Sequence, residues 1–147
     1  MAEVSVVGPE DGESLQIGAT VRMRILEDGS TTGHRLGIAE GTLAPHTAGP
    51  PQHRHAEHDE GFYVISGLLR FGVGDQTYDA GPGTLVMVPP GVPHTFANPG
   101  DEPARVLSTF TPATYTRYFR ELQATDPEQL EELMARYATV ITDQYAP

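Results

Sequence analysis

The chain has no cysteine. Disulfides, thiolate catalysis and iron–sulfur clusters are excluded, and any metal site must use nitrogen and oxygen ligands. Positive charge is scarce: nine Lys and Arg stand against 20 Asp and Glu, a formal net charge of -11. A nucleic-acid surface needs clustered cations, so no nucleic-acid partner is expected. An anionic membrane surface is excluded for the same reason. No apolar run approaches the roughly 20 residues of a spanning helix. The N-terminal stretch MAEVSVVGPEDGE lacks the basic segment and apolar run of a signal peptide. The expectation is a soluble, cytoplasmic protein.

What is present suits one domain. The chain has 147 residues, 38% of them hydrophobic, enough for a core without covalent staples. Sixteen glycines and 13 prolines imply many turns between short strands. Val4, Val6 and Val7 suggest a short edge strand. Val21, Met23 and Ile25 alternate on one strand face, and residues 35–43 read as the next strand, with Leu36, Ile38 and Glu40 sharing a face. Residues 44–52 form a loop held irregular by Pro45, Gly49, Pro50 and Pro51. Strands follow at 62–65, 68–73, 76–79, 85–88, 94–97 and 106–110, divided by Gly, Pro and Asp turns. Their number and even spacing argue for an antiparallel sandwich or barrel.

The pattern then changes. Thr111 and Pro112 are suited to cap and open a helix, with Tyr115, Tyr118, Phe119 and Leu122 at helical spacing. Asp126-Pro127 opens a second one, with Leu130, Leu133, Met134, Tyr137 and Ile141 as its apolar stripe. The stripes would cover the outside of the β-structure or a second subunit.

Four residues carry the chemistry. His53 and His55 alternate and so project from one face, their roots roughly 6–7 Å apart. Glu60 opens the next strand, and His94 arrives from a separate one. Three imidazoles and a carboxylate suit one divalent transition metal, Fe(II), Mn(II), Ni(II), Co(II), Cu(II) or Zn(II), with positions left open on a six-coordinate ion. Phe62 and Val64 share Glu60's face and Phe96 shares that of His94. These three are pocket candidates or ordinary core, and Met87, Met23 and Phe71 are further candidates on the same argument. His58, Asp59 and Tyr63 stand close enough to Glu60 in sequence to act as outer groups or proton shuttles, although His58 reads first as a loop residue. His34 and His46 sit in loops and have no assigned role.

The stretch His53-x-His55-x4-Glu60-x6-Gly67 resembles the first cupin motif, and Gly83-x5-Pro89-x-Gly91-x2-His94-x3-Asn98 the second. Gly49 lies closer to His53 than the usual leading glycine. The resemblance implies an all-β, antiparallel double-stranded β-helix, a jelly-roll-like barrel. Residues 1–111 would form the barrel, with motifs at about 49–67 and 83–98. Residues 112–147 would form a helical extension on the barrel or at a dimer interface. The resemblance also implies that His53, His55, Glu60 and His94 ligate the metal, and that the protein is a homodimer. The chain is further similar to small bacterial cupins grouped with quercetin 2,3-dioxygenase. That likeness implies a dioxygenase acting on an enol- or phenol-type, flavonol-like substrate, with dioxygen as co-substrate and Glu60 as ligand and catalytic base. Redox-neutral isomerase, cyclase or decarboxylase chemistry, and non-catalytic binding of a small molecule, are the alternatives.

Overall fold

The computed structural model describes residues 3–142. Eleven strands and two helices follow one another along it: β1 (Glu13–Ile17), β2 (Val21–Glu27), β3 (Gly37–Leu43), β4 (His53–His55), β5 (Asp59–Ser66), β6 (Leu69–Val73), β7 (Gln76–Ala80), β8 (Leu85–Val88), β9 (His94–Ala97), β10 (Ala104–Thr111), α1 (Tyr115–Leu122), α2 (Leu130–Arg136) and β11 (Thr139–Ile141). A six-stranded sheet runs β1-β2-β3-β10-β5-β8, and a five-stranded sheet runs β11-β4-β9-β6-β7. All pairings are antiparallel. The two sheets are hydrogen-bonded separately and do not close into one continuous barrel. This is the jelly-roll arrangement that the strand pattern and motifs imply.

Alternation explains which residues face in. Met23 and Ile25 of β2, Glu60, Phe62 and Val64 of β5, and Val106, Ser108 and Phe110 of β10 are buried. On β3 the inward residues are Gly37, Ala39, Gly41 and Leu43, so Leu36, Ile38 and Glu40 share the outer side. The small side chains of β3 leave space above the sheet. One buried cluster gathers Leu43, Phe62, Val64, Leu69, Phe71 and Val106. A second joins Met23, Ile25 and Phe110 to Tyr115, Tyr118, Leu133 and Met134. Burying each large side chain contributes about 2 kcal/mol.

Three expectations need correction at the ends. Val4 and Val6 pair with nothing and are exposed. The edge strand is β1, whose Leu15 faces inward opposite Met23. Thr111 does not cap α1: it still pairs with Asp59 in the ladder, so the helix begins only at Tyr115, with Thr114 at its N-cap. The second helix opens through a 3₁₀ turn at Pro127–Gln129, as Asp126-Pro127 suggests, but it stops at Arg136. Ala138 adopts φ 52, and the chain returns as a strand. Ile141 therefore belongs to β11, and the tail is not wholly helical. Among the described residues no helix is long and apolar enough to cross a membrane.

Candidate metal centre

The four motif residues converge. His53 and His55 lie on β4, Glu60 on β5 and His94 on β9, and all are buried. His53 is paired directly with His94 across β4 and β9. The turn before β9 is fixed from the same side: Gly91, at φ 84, donates its N–H to the His55 carbonyl at 2.7 Å. Beyond β9, Asn98 donates to the carbonyls of Leu43, Ala44 and Glu102 and accepts from the Gly100 N–H, closing the turn that the second motif ends on.

The ring centroids of His53, His55 and His94 are 4.8, 4.5 and 5.0 Å apart. Their ligand atoms lie within 4.8 Å of one another. Glu60 Oε2 is 2.8 Å from His55 Nε2 and 3.3 Å from His94 Nε2. Ligand atoms about 2.1 Å from a shared ion and at right angles around it lie roughly 3 Å apart, so this spacing fits one ion.

The outer nitrogens point to the same use. His53 Nδ1–H donates to the Pro51 carbonyl at 2.7 Å, and His94 Nδ1–H to the Val92 carbonyl at 2.9 Å. Carbonyls only accept, so each ring must carry its proton on Nδ1. Thr139 Oγ1 donates to the Tyr137 carbonyl, which leaves its lone pairs to accept from His55 Nδ1–H at 2.8 Å. In the neutral rings, all three Nε2 lone pairs are therefore free to face the carboxylate. Burial, then the neighbouring charge of His94, pushes His53 down to about 4, so it is neutral at ordinary pH.

Lone pairs facing a carboxylate repel unless a cation stands between them. Burial works against ionisation of Glu60, and only hydrogen bonds donated by His55 and His94 would outweigh it and hold the carboxyl below its usual range. Those hydrogen bonds need protons on Nε2. The His55 contact, though short, is not aligned as a hydrogen bond, and its Nε2 has no hydrogen-bond partner. A polar atom left so costs about 1–3 kcal/mol. A divalent cation would satisfy all four groups at once, and the donor set of three nitrogens and one oxygen fits it.

The centre opens on a cavity of about 360 Å3 between the sheets, touched by His53 and Glu60. Its walls are largely apolar: Val21, Met23, Leu43, Phe62, Phe96 and Val106 from the sheets, Tyr115, Tyr118 and Phe119 from α1, and Leu130 and Met134 from the α2 segment. No Arg or Lys is among its lining residues. Phe62, Phe96 and Met23 thus line it. Val64 and Phe71 are fully buried core outside it. Tyr63 and Met87 are corrections: they alternate to the outer face of β5 and β8 and are 45% and 52% exposed. Asp59 faces Thr111 near the surface.

Two further features were hidden in the sequence. Tyr115 and Tyr118 read as a helix stripe, but they stack on each other at 4.5 Å, and Tyr115 also meets the His55 ring at 4.7 Å. Burial raises both phenols, Tyr118 to about 12 and Tyr115 well above its ordinary value. His58 is not a surface loop residue. It is buried between His55 and Tyr115.

Two facing antiparallel sheets around an inward His/Glu cluster define the cupin class of protein. Residues 39–110, about half of the chain, match the family model for the cupin domain, Cupin_2, so the chain contains a cupin domain. No protein of curated function matches the chain significantly. Among solved structures it is similar to KdgF from Halomonas sp., with 17% identity over 75% of this chain and 94% of that one, at a TM-score of 0.66. It is also similar to the polyketide cyclase RemF from Streptomyces resistomycificus, with 23% identity over 74% and 80% at a TM-score of 0.64. A predicted oxalate decarboxylase from Thermotoga maritima shares 18% identity over 73% and 98% at 0.67. Likeness at this level speaks for the fold, and that fold serves many chemistries.

Proposed function

We propose that this chain is a divalent-metal-dependent enzyme acting on a small, uncharged, largely apolar molecule that carries an enol or phenol oxygen, and that it is a dioxygenase. The observation that carries the reading is a buried three-histidine, one-carboxylate centre in the wall of an apolar cavity that has no cation. Apart from the ion itself, oxalate or a sugar phosphate would find no cationic side chain in that cavity to balance its charge. A flavonol- or polyketide-like ring system would bury its carbon surface against Phe62, Phe96 and Met23.

A bound divalent ion would supply Lewis acidity that lowers the pKa of the substrate hydroxyl. The chain's own groups do the rest. His53, His55, His94 and Glu60 hold the site in place through β4, β5 and β9. Glu60 reaches the cavity and takes the substrate's proton. The apolar walls exclude water, which strengthens every polar contact inside.

One observation favours a second reading, a redox-neutral cyclisation or isomerisation. Tyr115 and Tyr118 line the same cavity with phenols that burial keeps protonated, so they can return a proton to a carbanion. RemF, similar in fold, is a polyketide cyclase.

Oxygen uptake by metal-loaded protein against flavonols, catechols and 1,3-diketones separates the two. The dioxygenase consumes oxygen stoichiometrically with substrate. Unchanged turnover under strict anaerobiosis removes it and leaves the redox-neutral enzyme. Glu60→Gln should retain part of the metal yet lose turnover about a hundredfold or more, and normal kcat at full metal loading removes the role of Glu60 as base.

A further inference from the structure

Glu60 is surrounded by four buried imidazoles, not three. The fourth, His58, stands in the turn between β4 and β5 and is as inaccessible as His53. Its ring lies against that of His55, 4.1 Å between centroids and 31° between planes, and is backed on its other contacts by Tyr115 at 4.4 Å and Phe110 at 6.2 Å. Its Nε2 is fully buried and has no hydrogen-bond partner. One ring nitrogen lies within 4.8 Å of ligand atoms of both His55 and Glu60, so His55, His58 and Glu60 form a second metal-competent triad that overlaps the first.

A buried histidine used only for packing normally has both ring nitrogens satisfied. This one has an orphaned nitrogen beside the strongest cation-attracting group in the interior. Unlike His53 and Glu60, His58 does not line the cavity. A ligand here occupies a position that an incoming substrate does not need.

We propose that His58 is a fifth protein ligand of the ion, joining His53, His55, Glu60 and His94. The inference rests on the metal-binding reading above and extends it. The His58 nitrogen stands within 4.8 Å of ligand atoms of His55 and Glu60, so ligation requires its ring to move toward the ion that those two residues share. Five protein ligands leave one position of a six-coordinate ion, on the cavity side, for the substrate's oxygen. His58 then both tightens retention of the ion and limits how many small molecules can approach it.

The test uses the full chain loaded with one equivalent of Cu(II), with pulsed EPR counting coordinated imidazoles. Four in the native chain and three in His58→Asn support the proposal. Three in the native chain overturn it, whether or not the variant folds. A chelator competition with Co(II) gives a second readout: His58→Asn should bind about tenfold or more weakly, while His46→Ala, an exposed histidine paired with Asp101, should match the native chain. Equal affinity in His58→Asn and the native chain overturns the proposal. Uptake of neither Cu(II) nor Co(II) by the native chain overturns the metal-binding reading as well. Uptake with three imidazoles leaves that reading standing and removes this one alone.

Discussion

The inner face of each motif histidine is set by what its outer nitrogen touches. For His53 and His94 the acceptor is a backbone carbonyl two residues earlier, Pro51 and Val92, so the tautomer is fixed locally by the Pro-rich turns. His55 depends on a side chain 84 positions away, the Thr139 hydroxyl. That dependence can be broken alone. Thr139→Val keeps the volume and the β-branched shape but removes the acceptor, so His55 Nδ1–H is left unpaired and its ring is free to turn or change tautomer. Metal affinity should fall about 10–100-fold, the range for loss of an outer partner of a ligating histidine. Thr139→Ser should restore most of it, because the hydroxyl returns. Chelator competition measures both. Native affinity in Thr139→Val would mean that the hydroxyl plays no part in orienting His55.

At the scale of elements, the centre is held by segments that grip one another across the sheet. The loop of residues 44–52 presses onto β9: Thr95 donates its hydroxyl to the Pro50 carbonyl at 2.5 Å, and a Cβ built on Gly49 would stand 1.5 Å from the Phe96 carbonyl oxygen. Gly49 is needed for this close approach of backbone to backbone, and not for a left-handed turn. Gly49→Ala must push the loop off β9 and disturb the strand that carries His94. It should cost about 2 kcal/mol of stability and weaken metal binding together with it. A thermal melt and a chelator titration check the two effects, and an unchanged melt would show that the loop yields without strain. The sequence disclosed the parts that depend on local pattern: the alternation on β2, β5 and β10, the turn signals, and the ligand-bearing motif positions. It did not disclose β11. Thr139-Val-Ile141 is as compatible with the end of a helical stripe as with a strand, and only pairing with Arg54 and its neighbours on β4 decides the matter. The burial of His58 was hidden for the same reason, since the ring that covers it, Tyr115, comes from α1, 57 positions later. Tyr63 was misplaced because nearness in sequence to Glu60 does not set which face of a strand a residue takes, and Met87 because parity alone does not tell which face of β8 turns inward.

At the scale of the whole molecule, the buried ionisable groups gather in one region of the interior. Four imidazoles and a carboxylate lie between two apolar clusters, with at least two of their nitrogens unsatisfied. Such a centre weakens the fold when it is empty and strengthens it when a cation links β9 to β4 and β5, which lie far from it along the chain. An ion that binds the folded chain and not the unfolded one adds about 2.7 kcal/mol at a free concentration of 100 Kd. For a chain of this size that is a shift in Tm of roughly 8 °C. The loaded protein should therefore melt about that much higher than the chelator-stripped one, and the difference should grow with the logarithm of free metal. His94→Ala should abolish the dependence, because it removes the ligand that ties the second motif to the first. Calorimetric melts over a series of free metal concentrations read this directly. A Tm indifferent to metal in the native chain would mean that no cation couples the two sheets.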